Sequence, residues 1–393
     1  MSATAKVMPR RPGLRERFRE FSGRHRSTTI LLGMLAITLV LPFIVLLPPF
    51  SGFLTQNVWV EQFNTAGIYI LLVLGLNIVI GMAGLLDLGY AAFFAIGAYS
   101  YAAVASQFTG IHIPFWPWLI MGAIIAALFG VTLGAPTLRL RGDYLAIVTL
   151  GFGEIVPVFF TNSAGLAGGT NGISAIDRPS LPFEFDIAGQ CVTCFSASQP
   201  WGFYITMGLI LTGVLILCYR LQDSRLGRSW NAIREDELAA SSSGINTVTT
   251  KLLAFAIGAS TSGFAGVFSA ARNVAVAPVQ FGFTVSFTVL AMIVLGGMGN
   301  IWGVAIGGFT IFVLQQVFLP QLTNFFNIVQ VPILSDIDFV QYQFLLYGIA
   351  LVLMMLFRPE GLFPNVRRRR ELHTESGGAE ELVSPDEAAP EIE

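Results

Sequence analysis

Charged residues are scarce in this chain of 393 residues. They make up 12% of the sequence, against about 25% in an ordinary soluble domain. Lysine occurs only twice, as Lys6 and Lys251. Neither lysine lies in the G-x-x-x-x-G-K-[ST] pattern that a P-loop requires. The low charge therefore argues against a water-soluble fold, and the lysine positions exclude nucleotide hydrolysis by a P-loop in this chain.

Histidine and cysteine are equally rare, with three residues of each. The sequence has neither H-E-x-x-H nor G-x-S-x-G, so no catalytic site, metal site or bound cofactor is predicted. Cys191 and Cys194 form a C-x-x-C, which is consistent with a local disulfide, a redox pair or half of a metal site. Cys218 lies in an apolar stretch and is interpreted as a packing residue.

Apolar residues, in contrast, dominate the chain, at 54% with a mean hydropathy of +0.69. A helix crosses the hydrocarbon of a bilayer with about 20 residues, and none of the apolar runs alternates as a barrel strand would. We predict an all-α polytopic membrane protein with about ten transmembrane helices in the region 30–358. The predicted spans are 30–48, 62–80, 91–108, 117–135, 144–160, 201–219, 252–270, 284–298, 303–319 and 343–357.

The distribution of basic residues supports this topology, because loops on the cytoplasmic side carry an excess of lysine and arginine. Ten spans place both ends of the chain on one side, and 20 of the 22 basic residues fall on that side. Only Arg178 and Arg272 fall on the other. We therefore predict a retained basic cytoplasmic tail over 1–29 and a second cytoplasmic tail over 359–393, which is mostly disordered by its composition.

Two loops are long enough to hold structure of their own. The outer loop, 161–200, contains the C-x-x-C and is predicted to form a small cap. The inner loop, 220–250, is polar and is predicted to form a short helix outside the bilayer. A charged helix with small residues suits insertion into the groove of a partner, although a merely solvated loop remains the alternative.

Glycine-rich breaks interrupt the apolar sequence at 77–89 and again at 296–303. Paired breaks in the two halves are typical of broken helices at a transport site, where irregular backbone lines a cavity. The alternative is a pair of tight cytoplasmic turns between consecutive helices. If the breaks line a path, its polar groups are the amides and carboxylates of Asn77, Asp87, Glu154 and Asn300.

Glu154 falls inside a predicted span, where a carboxylate costs roughly 2.5 to 3.5 kcal/mol on insertion scales. Such a cost favours a functional or paired side chain. Two interpretations stay open at this point: Glu154 faces a translocation path, or it pairs with Arg139 or Arg141 as a structural bridge.

Five separated motifs, in this order, resemble those of one known family. They are LRLRGDYLAIVTLGFGE at 138–154, GGTNGI at 168–173, the segment from LGR to REDELAA at 226–240, LGGMG at 295–299 and RPEGL at 358–362. Over about 60–360 the chain is similar to permeases of branched-chain amino-acid ABC importers, of the LivM type. The resemblance implies the ABC importer permease fold and a bacterial inner-membrane location.

The resemblance also implies partners. They are a related LivH-type permease, two cytoplasmic ATPase subunits that use the ATP, and a periplasmic amino-acid-binding protein, with lipid around the chain and no nucleic acid. The loop 220–250 would then dock on an ATPase through Arg234, Glu235, Asp236, Glu237, Ala239, Ala240 and Gly244. Gly244 follows Glu237 by seven residues, whereas the general importer pattern has six.

Other functions receive less support from the sequence. A permease for urea or short-chain amides, of the same superfamily, is the nearest alternative. A membrane-embedded enzyme would need catalytic residues clustered at one depth, and a channel would need rings or filters from a symmetric oligomer. Neither pattern is visible in the sequence.

Overall fold

The computed structural model describes residues 33, 56–137, 143–180, 186–187, 190–191, 195, 200–329, 339–358 and 361–363. Helices account for most of these residues. In chain order they are α1 (Gln56–Leu76), α2 (Tyr90–Val104), α3 (Phe115–Thr137), α4 (Asp143–Asn162), α5 (Ala164–Ala167), α6 (Trp201–Gln222), α7 (Arg225–Glu235), α8 (Glu237–Ser242), α9 (Thr247–Asn273), α10 (Phe283–Gly296), α11 (Ile301–Val313), α12 (Leu319–Val329) and α13 (Gln343–Phe357).

Two of the long helices contain a π-helical segment. The helix α1 continues as a π-helix over Asn77–Met82, and Leu314–Phe318 joins α11 to α12 in the same way. Short 3-10 turns occupy Gly169–Asn171 and Pro278–Phe281. A π-turn shifts the hydrogen-bond register of a helix and is frequent at functional sites.

Seven helices in the described part of the chain are long and apolar enough to cross a membrane, and α2 and α13 are shorter apolar helices. Together they coincide with nine of the ten predicted spans. The remaining span, 30–48, lies outside the described residues except for residue 33, as do almost all of the two predicted tails. The helical membrane fold is therefore confirmed, while the total of ten spans stays a prediction.

The long helix α9 lies at the centre of the bundle and packs against α1, α2, α3 and α6. Small residues allow this approach. Gly263 of α9 abuts the backbone of Gly97 in α2 on one side and Ala126 in α3 on another. Without a hydrophobic driving force between helices in lipid, close contact of small residues is a main source of association. We call this contact surface the small-residue seam.

Short antiparallel strands occur in the described part of the outer loop and beside it. The strand β1 (Ala105–Ser106) pairs with β2 (Ile111–His112), and β3 (Ile173–Ser174) pairs with β6 (Ala275–Val276). A third antiparallel pair joins β4 (Asp186–Ile187) to β5 (Gln190–Cys191). The pair β3–β6 connects the loop after α4 to the end of α9, and an isolated bridge between Ser106 and Ile176 connects it to the end of α2.

The inner loop was predicted to hold one short helix, and the structure has two. Ser224 caps α7 by accepting a hydrogen bond from Gly227 N, and Asp236 ends α7 and begins α8. The buried Trp230 of α7 donates from Nε1 to the Thr250 carbonyl oxygen at 2.7 Å. The pair α7–α8 is thus fixed to the first turn of α9.

Candidate functional site

The two glycine-rich breaks lie against each other. Asn77, the first residue of the π-segment, is buried, and its Oδ1 accepts a hydrogen bond from Gly299 N at 2.9 Å. A methyl group on Gly81 would overlap both atoms of this bond. The position therefore requires glycine, and the amide of Asn77 ties the end of the first long helix to the turn between α10 and α11.

A segment beyond α13 completes the contact. Leu362 N and Phe363 N donate to the carbonyl oxygens of Leu295 and Gly296, at 2.9 and 3.3 Å. Asn300 Nδ2 donates to the Phe363 carbonyl oxygen at 3.0 Å. The end of α10 would otherwise leave carbonyl groups without partners. We call the region formed by 77–84, 295–300 and 361–363 the break junction.

The helix α7 reaches the break junction through one side chain. Arg234 Nη1 donates to the Gly81 carbonyl oxygen at 2.6 Å, and the aliphatic part of Arg234 lies on Gly84. Gly84 has a φ of 70°, a left-handed conformation that glycine adopts without strain. The break junction is therefore at the same end of the bundle as α7 and α8.

The acidic residues of the inner loop have different roles. Asp236 is a helix cap whose Oδ1 accepts hydrogen bonds from Leu238 N and Ala239 N. Glu237 Oε1 is 2.6 Å from Nζ of Lys251, which is only 6% exposed. Glu235 is exposed. The carboxylates of Asp236 and Glu237 therefore bond within the chain, whereas Glu235 is exposed.

The exposed residues of α8 are Leu238, Ala239, Ser241 and Ser242, whereas Ala240 is buried. Leu238 is 66% exposed, and it lies between the charged run 234–237 and two alanines. It was not among the predicted docking residues. The available signal was its place as the one large apolar residue of the segment 234–240. Gly244 has a φ of 84° and reverses the chain after α8.

Asp87 lies in the connection between the π-segment and α2. It is buried, and its Oδ1 accepts a hydrogen bond from Gly89 N at 2.9 Å. Burial raises the pKa of the Asp87 carboxyl to about 6. The side chain borders a small cavity together with Thr149 of α4 and Phe255 of α9. Asp87 therefore belongs to an enclosed site beside the break junction.

Glu154 occupies a different surface. It is exposed on α4, on a face that also presents Ile147, Ile155 and Val158. Its carboxylate forms no ion pair with another described residue, and Arg139 and Arg141 lie outside the described part. The four candidate path residues are thus divided among the break junction, the Asp87 cavity and the outer face of α4.

The cysteine pair cannot be placed, because Cys194 lies outside the described residues and only the backbone of Cys191 is described, in β5. Cys218 is buried with a free thiol, in agreement with its interpretation as a packing residue. Among the described residues, no three histidine, cysteine or acidic side chains are grouped as a metal site would require.

These features define a multi-pass membrane protein with a pair of helices fixed to one end of its bundle. Residues 59–355, which include the break junction up to Asn300 as well as α7 and α8, match the family described as "Branched-chain amino acid transport system / permease component". The match covers more than half of the chain. The protein belongs to this family of transport permeases.

Curated relatives agree with the family match. The chain is 37% identical over 359 residues to the high-affinity branched-chain amino acid transport system permease protein LivM of Salmonella typhimurium, covering 88% of this chain and 77% of the relative. It is 40% identical over 317 residues to LivM of Escherichia coli, covering 78% of this chain and 70% of the relative. The permease protein LivH of Salmonella typhimurium is 29% identical over 248 residues, covering 61% of this chain and 78% of the relative. No solved structure matches the chain.

The pairing of Glu237 with a buried lysine generates a stability prediction. Glu237→Ala removes the partner of Lys251, and a buried charge without its partner costs about 1–3 kcal/mol when the pair is partly solvated. We expect a lower midpoint of thermal unfolding in detergent. The double variant Glu237→Ala/Lys251→Met should recover most of the loss, because it no longer buries a charge.

The matched control is Glu235→Ala, which removes the neighbouring carboxylate that is exposed. Its expected effect on stability is below about 0.5 kcal/mol, as for most surface substitutions. Equal losses in the Glu235 and Glu237 variants would show that the Lys251 contact does not stabilise this end of the protein.

Proposed function

We propose that this chain is a permease subunit of an ATP-driven importer of branched-chain amino acids. The observation that carries the proposal is the 37–40% identity to two LivM permeases over most of the chain. The matched region contains the membrane helices, the break junction and the helices α7 and α8 together. The proposed role is to form a translocation path and to receive the movement of partner ATPases.

A second, related permease is the proposed neighbour in the membrane. Both LivM and LivH permeases are similar to this chain, which fits a pair of homologous subunits that face each other across a path. The outward faces of α3 and α4 supply a surface for such a pair, because most of their residues are not covered within this chain. A carboxylate at Glu154 is costly against lipid, so we place it at this boundary, facing the path.

The proposed docking surface for an ATPase is α8. Its outward residues, Leu238 and Ala239, can insert into a groove, and its inward contacts through Glu237 and Ala240 fix it to the bundle. The distribution of arginine supports a cytoplasmic position for α7 and α8 at an inner membrane, where ATP is available. The ATPases and a periplasmic binding protein are therefore included in the proposal as partners.

Uptake by the reconstituted importer tests the function. The chain is co-expressed with its candidate permease, ATPase and binding-protein partners and placed in proteoliposomes. We expect ATP-dependent accumulation of labelled leucine, isoleucine or valine that requires the binding protein. Accumulation of urea or a short-chain amide in place of these amino acids would assign the chain to that substrate class, and leucine uptake without nucleotide would contradict an ATP-driven importer.

Substitution of Leu238 tests the docking surface. Leu238→Asp places a charge where an apolar contact is proposed. A loss of about 1.4 kcal/mol of binding free energy corresponds to about tenfold weaker binding. We expect at least a tenfold reduction in the amount of ATPase that is retained when the permease is purified. Leu238→Met keeps the apolar volume and should retain the ATPase.

Normal retention of the ATPase by Leu238→Asp would remove α8 as the docking surface. The variant Ser241→Cys reports the side of the membrane independently. A membrane-impermeant thiol reagent should modify this cysteine from the cytoplasmic side only, and modification from the outside would reverse the proposed orientation.

Substitution of Glu154 tests its position at the path. Glu154→Gln removes the charge with almost no change in volume, so we expect uptake to fall by about fivefold or more while the amount of permease in the membrane is unchanged. Ile155→Leu, on the same face of α4, should transport normally because it conserves apolar volume. Unchanged uptake kinetics in Glu154→Gln would exclude a role of the carboxylate in the path.

A further inference from the structure

The π-segment after α1 leaves a backbone acceptor available. Its hydrogen bonds are displaced from the regular α-helical pattern: Ala83 N, Gly84 N and Leu85 N donate to the carbonyl oxygens of Ile78, Ile80 and Val79, respectively. The Gly81 carbonyl oxygen receives Arg234 Nη1 in their place. An unpaired carbonyl buried in protein within a bilayer would be costly, so this charge-assisted bond stabilises the end of the first long helix.

Arg234 has two different surroundings along its length. The guanidinium contacts Gly81, and the aliphatic part lies on Gly84. The side chain as a whole is still exposed, and it precedes the proposed docking helix α8 by three residues. A partner seated on α8 would therefore lie beside an arginine whose other end is already bonded to a membrane helix.

The contact continues across the break junction. Gly81 packs on the bond between Asn77 Oδ1 and Gly299 N, so a displacement of Gly81 must change that bond. Gly299 and Asn300 in turn connect α10 to α11. A movement of α7 thus reaches two parts of the bundle through three directly contacting groups, Arg234, Gly81 and Asn77.

Two other links from the inner helices differ in their physical character. The Trp230–Thr250 bond attaches α7 to α9, and the pair Glu237–Lys251 attaches α8 to α9, which is held by the small-residue seam. The π-segment departs from the regular α-helical hydrogen-bond pattern, and such segments are frequent at functional sites. The link through Arg234 is therefore the one that reaches an irregular segment of a membrane helix.

We propose that Arg234 is the transmission residue of this permease, carrying movement of the docked ATPase from α7 into the π-segment through its bond to Gly81. Arg234 is then a positioning residue and not a docking contact. This inference rests on the proposed function, since it needs an ATPase on α8. It adds that the bond between Arg234 and Gly81 moves and that the π-segment responds.

The experiment uses the complete reconstituted importer with the variant Arg234→Ala. The ATPases should be retained as in the unsubstituted complex, and ATP hydrolysis without substrate should stay within about twofold, whereas uptake should fall by about tenfold or more. Stimulation of ATP hydrolysis by the loaded binding protein should be lost. This combination is an uncoupled transporter, which a merely unstable protein would not produce.

Two further variants test the geometry. Arg234→Lys keeps a single donor that can reach one carbonyl oxygen, so it should restore a substantial part of the uptake. Gly84→Ala introduces a methyl group against the Arg234 side chain at a left-handed position and should reproduce the uncoupling. Arg228→Ala is the control, because Arg228 lies on the same helix and, among the described residues, its guanidinium bonds locally, to the Asp223 carbonyl oxygen.

The outcomes separate this inference from the proposed function. Absence of ATP-dependent uptake in the unsubstituted complex would overturn both. Uptake in the unsubstituted complex together with normal coupling in Arg234→Ala would overturn only the transmission role. Loss of the ATPases from Arg234→Ala would assign the residue to docking and would also overturn it.

Discussion

The structure depends on one constraint, that a helix interrupted within or near a bilayer must still provide partners for its backbone groups. The break junction meets this constraint with side chains and backbone from distant parts of the chain. Asn77 accepts from Gly299, Arg234 donates to Gly81, and residues 362 and 363 donate to the end of α10. The same bonds that satisfy the backbone also connect the inner helices to the membrane helices.

The small-residue seam differs from the break junction in its packing. Around α9 the helices approach so closely that added side-chain atoms would overlap neighbouring backbone, as at Gly263. Close-packed interiors have low compressibility and hold their shape. The rigid seam and the irregular break junction therefore divide the protein into a part that holds its shape and a part that can respond to a partner.

Much of this fold could be predicted from the sequence, because long apolar runs and the positions of arginine are strong signals for membrane helices. The inner loop was also recognised as helical, and its Asp236 proved to be a cap that separates two helices. The roles of Asn77 and Arg234 could not be predicted. Both depend on contacts with residues more than a hundred positions away, at Gly299 and Gly81, and no local pattern encodes such contacts.

Leu238 and Glu237 show that the roles of two adjacent residues were also not predictable from the sequence. Charge drew attention to Glu237, but its carboxylate is paired with Lys251 within the chain. The apolar Leu238 beside it is the residue left open to a partner. Whether a side chain in a polar loop faces inward or outward is decided by how the loop packs on the bundle, which the spacing of residues does not specify.

The bonds from 362 and 363 to the end of α10 have a consequence for biosynthesis. The carbonyl groups of Leu295 and Gly296 emerge from the ribosome more than sixty residues before the donors that bond them. The segments α11 to α13 are synthesised within that interval. The break junction therefore cannot be completed until residues 362 and 363 have been added to the chain.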